Sequence, residues 1–312
     1  MCITAGAAGD NDEPKGKPIV QVFTNFHSGF GSDNNDRGFD LDRSYLGYEY
    51  SFGNGIKIKG VMDIGKSNDV DDYQRIAYIK NAMVSWKTGN LTLNGGLIST
   101  TQFGTQEKFW GNRYVMKSFQ DQYKFGNSAD MGISAAYKFN DVVSADAIVT
   151  NGEGYKKEQI YDGMMYGMGI TVKPVSGLTL RVYGGINESK DKEGKDIYNV
   201  ATFAGYSNKA FSLGCEYNMM KNAGNTKNHD LQGVSVYASA GLNKNTKVYA
   251  RYDQLFSKDD WNMAKDEQAV IAGAEFKLMK YIKISPNFRF ANPKDDAKSN
   301  RYMAYISCYF GI

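Results

Sequence analysis

The chain has 312 residues, and its 37 Lys and Arg against 34 Asp and Glu leave a formal net charge of +3, too even for a nucleic-acid partner. No run approaches the ~18 consecutive apolar residues that a spanning helix needs. Aromatic residues at 13% and 34 Gly beside only 5 Pro suit long strands joined by tight turns, and fit poorly with helix bundles or disordered tails.

Residues 1–16 read as the remnant of a secretory signal or a flexible tail, because Met1–Asp10 is small and apolar and Ala5-Gly6-Ala7 resembles an A-x-A cleavage site. From 17 to 312 the chain reads as one unit, with two-residue alternation almost throughout. Strand-like runs fall at 18–30, 39–52, 56–65, 73–87 and 91–100. A long irregular segment, 101–127, separates these from 130–139, 142–151, 162–173, 178–187, 197–207 and 210–220. The remaining runs are 231–242, 246–256, 267–278, 282–291 and 301–310. In the second run Leu46, Tyr48, Tyr50 and Phe52 share one face, while Arg43, Tyr45, Glu49 and Ser51 share the other.

These runs are long. Soluble strands average ~5–6 residues, whereas a strand tilted across a bilayer needs ~9–11. Short connections alternate with longer, charged ones, and the strand number is even. Lipid cannot satisfy an open sheet edge, so the pattern predicts a closed 16-stranded antiparallel transmembrane β-barrel of all-β class. Phe52, Trp86, Phe139, Tyr206 and Phe310 fall on outward faces near the short turns, where rings form a girdle at the headgroup boundary. Lys80 also falls on an outward face, which calls for a subunit contact or a strand bulge. Small outward residues (Gly95, Ala145, Ala147, Ala272, Ala274) suggest an oligomer contact.

At this point the chain resembles the general bacterial porins in architecture. More narrowly, DRSYLGYE at 42–49, followed by KIKGVMDIG at 57–65, resembles the phosphate-selective porin O and P family. The resemblance implies a homotrimer in a Gram-negative outer membrane, among lipid and lipopolysaccharide, with the third outer loop folded into the lumen as a constriction. The alternating last strand resembles a barrel-assembly signal but ends in Gly311-Ile312 instead of Phe.

Alternation turns Arg43, Lys57, Lys59, Lys138, Arg181, Lys247, Arg251, Lys277, Lys283, Arg289 and Arg301 toward the lumen. The facing acids are Glu49, Asp63, Asp146, Glu216, Asp253 and Glu275. The third loop adds Glu107, Lys108, Arg113, Lys117, Asp121 and Lys124. The basic excess predicts a water-filled channel for passive diffusion of ions and small hydrophilic solutes, weakly anion-favouring, with Arg113 an unpaired cation faced by Arg43, Arg251 and Arg289. A channel selective for phosphate, another anion or a sugar stacking on Tyr45, Tyr183, Tyr249 and Tyr305 is the alternative. Enzymatic chemistry has little to stand on. His27, beside Asp33 and Asp36, is the one candidate base for a hydrolase and reads as a surface histidine. Three cysteines without paired spacing, and no histidine-rich motif, leave no metal or cofactor site.

Overall fold

The computed structural model describes residues 14–31, 34, 36–66, 74–159, 162–189 and 191–312. All sixteen predicted strands are present. They are β1 (Lys15–Phe30), β2 (Arg37–Gly53), β3 (Ile56–Lys66), β4 (Arg75–Thr88), β5 (Leu91–Ser99), β6 (Ala129–Lys138), β7 (Val143–Thr150) and β8 (Met165–Val172). The second half comprises β9 (Leu178–Asn187), β10 (Ile197–Ser207), β11 (Phe211–Lys221), β12 (Leu231–Gly241), β13 (Thr246–Ser257), β14 (Glu267–Met279), β15 (Ile282–Pro293) and β16 (Arg301–Gly311). Each pairs antiparallel with its sequence neighbours, and β1 also pairs with β16, so the sheet has no edge. The chain's end helps the seam: Gly311 N–H donates to the Tyr281 carbonyl and Ile312 N–H to that of Val20, both at 3.0 Å.

Lys15 and Gly16 lie in β1, so the barrel begins two residues before the boundary expected at 17. The signal or tail expected before it, residues 1–13, lies outside the described residues. At the first hairpin Asn54 (φ 51°) and Gly55 (φ 76°) take the two left-handed positions that a two-residue turn demands. A Cβ at Gly55 would also lie 2.0 Å from the Lys87 carbonyl oxygen, so only glycine fits there.

The outward phase of the strands is apolar and exposed (Ile133, Met168, Val182, Phe288 and Ile306 among others). A closed sheet with such a face spans a bilayer. The girdle residues Phe52, Trp86, Phe139, Tyr206 and Phe310 are all exposed on it.

Among the described residues the register shifts at four places, two beside the β2–β3 and β14–β15 turns and two within the wall, where they reset the alternation. Val61 pairs with Asn81 but Met62 with Ile79, leaving Lys80 as the extra residue on β4. Likewise Phe23 pairs with Arg43 but Thr24 with Leu41, leaving Asp42 extra on β2. The first bulge corrects the expectation for Lys80: its amine donates to the Tyr45 hydroxyl (3.1 Å) and lies 4.6 Å above that ring. It belongs to the lumen and says nothing about a subunit contact.

The segment between β5 and β6 folds into the barrel. It forms two short helices that periodicity did not predict, α1 (Gly104–Trp110) and α2 (Phe119–Gln122). Glycine ends the first: Gly111, at φ 65°, donates its N–H to the Glu107 carbonyl.

Candidate functional site: the third loop and the lumen

The loop's aromatic residues pack against the inner barrel wall, which removes their rings from water. Trp110 (2% exposed) sits edge-on to Tyr237 and Tyr249 at 5.8 and 5.7 Å, and Phe109 meets Phe203 at 4.9 Å. Tyr114, Val115, Phe23 and Ile271 complete this buried cluster.

Side chains of the wall then satisfy four of the loop's backbone carbonyls, as a buried backbone requires. Arg181 donates to the Thr101 carbonyl (2.8 Å), Tyr237 to Gln106 (3.0 Å), Arg289 to Val115 (2.7 Å) and Arg251 to Lys117 (2.6 Å). Lys247 donates to the Asn112 side chain at 2.8 Å, and the Tyr114 hydroxyl to Glu275 at 2.9 Å. These anchors come from β9, β12, β13, β14 and β15, so the loop is fastened along one side of the barrel.

On the other side the loop faces β2, β3 and β4. Arg113 donates to Glu107 (3.0 Å), to Asp121 (2.6 Å) and to the Tyr45 hydroxyl (3.1 Å). The same hydroxyl accepts from Lys80, so two cations from different elements converge on one oxygen. Arg43 pairs with Asp63, whose carboxylate also accepts from the Tyr155 hydroxyl. Lys117 lies 3.9 Å from Asp121 and is the more open member of that pair.

The loop's charges are tuned by these neighbours. Burial pushes the Asp121 carboxyl up, but Arg113 and then Lys117 outweigh it and hold it below the ordinary carboxylate value. Burial lowers the Lys117 amine, Asp121 opposes that, and Arg43 and Arg113 add to the lowering. Burial works against the Arg113 guanidinium, yet Tyr45, Glu107 and Asp121 raise its pKa well above the ordinary value.

Of the residues expected at the constriction, Arg113, Glu107, Asp121 and Lys117 come together. Lys124, at the left-handed φ of 59°, lines a cavity of about 1070 Å³ on the long-loop side, and exposed Lys108 does not line it. Arg113 is not the unpaired cation expected, since two carboxylates hold it. Nor do Arg251 and Arg289 face it as free wall charges. Arg251 makes a two-point pair with Asp253 (2.8 and 2.5 Å) beneath the loop, and Arg289 lies between Val115, Asn287 and the Tyr305 ring. Arg43 alone of the three is at Arg113's side of the passage, where both line the same cavity.

Elsewhere on the wall Arg181 makes a two-point pair with Asp146 (2.6 and 2.9 Å). Lys247 and Lys283 share Glu275 at 3.7 and 3.3 Å, and Arg301 pairs with Glu267 at the long-loop rim. Glu49, Lys57 and Lys59 line a smaller cavity of about 280 Å³ toward the tight turns. The sugar platforms are not available: Tyr45, Tyr183 and Tyr249 are buried, and Arg289 covers the Tyr305 ring at 3.5 Å.

His27 is buried, contrary to the surface position expected. Its Nδ1 lies 2.9 Å from Asn25 and its Nε2 3.2 Å from Asp36, while adjacent Ser28 hydrogen-bonds the Gly29 carbonyl. Lys80 and Tyr155 are the site residues that strict alternation misses. The signal for Lys80 is a charge on an otherwise apolar face (Ile76, Tyr78, Ala82, Val84); Tyr155 comes from a loop and leaves none.

A closed transmembrane barrel whose lumen is narrowed by an internal loop has the porin fold. No protein-family model and no curated protein sequence matches the chain. Solved structures do. The anion-selective porin from Comamonas acidovorans superposes with a TM-score of 0.71 at 14% identity, over 96% of this chain and 100% of that one. OmpF of Salmonella typhi gives 0.71 at 13%, over 97% and 99%. Outer-membrane OmpT of Vibrio cholerae gives 0.68 at 14%, over 96% and 98%.

Proposed function

We propose that this protein is an outer-membrane channel through which ions and small hydrophilic solutes diffuse passively, with a preference for anions. One observation carries the preference. The long-loop cavity leading to the third loop is lined by seven basic residues (Arg43, Arg113, Lys117, Lys124, Lys156, Lys157, Lys265) and three acidic ones (Asp121, Asp130, Glu153). Asp130 is moreover buried and occupied by the N–H groups of Met131 and Gly152. In a narrow passage where dielectric and screening are both reduced, that excess draws anions and repels cations.

The anion-selective neighbour from Comamonas acidovorans supports the same reading. A homotrimer with the long loops outward is what the resemblance to porins implies; phosphate selectivity is the alternative reading, and no dense ladder of lysines accompanies it. The outward small residues Gly95, Ala145 and Ala147 offer one strip for subunit contact. The test is reconstitution in a planar bilayer under a potassium chloride gradient. A reversal potential on the chloride side is expected, and one on the potassium side overturns the preference. Replacing chloride by phosphate separates a general channel, whose current scales with ion mobility, from a phosphate-selective one, whose chloride current falls at low phosphate.

A further inference from the structure

The rim at the tight turns carries a repeated unit that conduction leaves unused. All seven turns bring an exposed lysine within two residues of an exposed large apolar side chain, counting Lys57 between Ile56 and Ile58. Lys87 adjoins Trp86, Lys138 lies between Tyr137 and Phe139, and Lys173 is two residues from Val175. Lys209 is two residues from Phe211, Lys244 two from Leu242, and Lys280 lies between Met279 and Tyr281 with its amine 4.9 Å over the tyrosine ring. Lys57 is also drawn toward Glu49, at 4.0 Å. Asp141, 2.6 Å from Lys138, is the one carboxylate on the other six turns.

We propose that this rim binds the phosphodiester headgroups of anionic phospholipids in the leaflet it borders. The rings fix the depth, because they settle at the boundary between acyl chains and headgroups. A lysine beside each ring cannot enter hydrocarbon, so its four-carbon stem extends along the apolar surface and delivers the amine to headgroup level. Phosphate is the anion found there. The opposite rim mixes exposed lysines (Lys258, Lys294, Lys298) with exposed carboxylates (Asp259, Asp260, Asp296), and Lys294 is paired with Asp260, so the scarcity of carboxylates is what sets the tight-turn rim apart. This inference needs only that the barrel spans a bilayer and is independent of what the channel conducts.

Trp86 makes the surface measurable. It is exposed on the outer face beside Lys87, whereas Trp110 is buried in the lumen and Trp261 lies on a long loop, bonded to the Asp230 carbonyl. The Lys138 N–H bonds the Asn90 carbonyl, which places Lys138 beside the neighbouring turn that carries Lys87. The full chain is reconstituted in mixtures of phosphatidylglycerol and phosphatidylcholine, with bromine on the acyl chains of one lipid and then of the other, and tryptophan quenching gives the relative affinity.

Phosphatidylglycerol should be preferred at Trp86 by about fivefold, the effect of one lysine near an anionic surface. The preference should fall toward unity in Lys87→Gln/Lys138→Gln and in high salt, and Trp86→Phe should abolish the quenching. Both lysines are exposed, so the double variant should assemble normally, as a heat-dependent shift in electrophoretic mobility reports. Equal affinity for the two lipids in the wild-type protein, or a preference unchanged in the double variant, overturns the proposal. So does lysine-dependent sedimentation with peptidoglycan in the absence of any lipid preference, which would assign the rim to cell-wall carboxylates.

Discussion

Arg289 on β15 donates to the carbonyl of Val115 at 2.7 Å and so ties the barrel wall to the third loop across 174 residues of sequence. Arg251 and Arg181 do the same to Lys117 and Thr101. The arginines that alternation offers as pore charges are thus largely structural. Their guanidiniums suit the task, since each satisfies a carbonyl with one nitrogen and a carboxylate or amide with the others.

Arg251→Ala should be among the most damaging single changes in the lumen. It leaves Asp253, 1% exposed, as an uncompensated buried charge, a loss of ~3–5 kcal/mol for pairs of this kind. It also frees the Lys117 carbonyl, so single-channel records should become noisier as the loop loosens. Arg251→Leu combined with Asp253→Leu should recover much of the thermal stability while the noise persists. Thermal unfolding in detergent and single-channel recording check the two parts separately.

Lys80→Cys should react with a charged, water-soluble thiol reagent, whereas Ile79→Cys, on the lipid face, should not. Cys215 and Cys308 lie on the outward phase of β11 and β16, opposite Val236 and Ile284, and give the background rate. Lys80→Gln should assemble normally and shift the reversal potential toward cations. Were Lys80 turned to lipid, its removal would instead raise stability by ~2–4 kcal/mol.

Arg113→Glu places a third carboxylate beside Glu107 and Asp121. The reversal potential should move further toward cations than in Lys80→Gln, since the sign reverses and both native partners lose their counter-charge. The barrel should still form, because the anchors from β9 and β12–β15 and the packing of Trp110 on Tyr237 and Tyr249 do not involve Arg113. Deletion of 108–123 should raise conductance by removing the mass that narrows the lumen. Unchanged conductance and selectivity in both variants would place the loop outside the conduction path.

The pH profile follows from two loop residues. Asp121 is held below the ordinary value of 3.8, so its bond to Arg113 persists through that value and is lost only as the pH falls through the lowered one. Lys117 is lowered from 10.5, so its charge, and with it part of the anion preference, should disappear on the alkaline side before 10.5 is reached. Reversal potentials measured from pH 4 to 10 should therefore stay level at the acid end and drift toward cations at the alkaline end. In Lys117→Gln the alkaline drift should shrink.

What the sequence determined was whatever follows from local period and length. Sixteen alternating runs long enough to cross a bilayer, short turns such as Asn54-Gly55, and girdle rings at Trp86 and Phe139 were all legible, because strand phase and turn chemistry depend on near neighbours. The seven aromatic residues of 101–127 also announced a loop that could not face water. Tertiary structure decided the rest. A single extra residue at the β4 bulge turned Lys80 from lipid to lumen; its charge on an apolar face called for a bulge or a subunit contact, and only the strand pairing decided between them. Whether an arginine faces the pore or fastens a loop depends on which carbonyl comes within 3 Å of it, as Lys117 does for Arg251 and Val115 for Arg289. Those carbonyls arrive from more than a hundred residues away, once the barrel has closed around them.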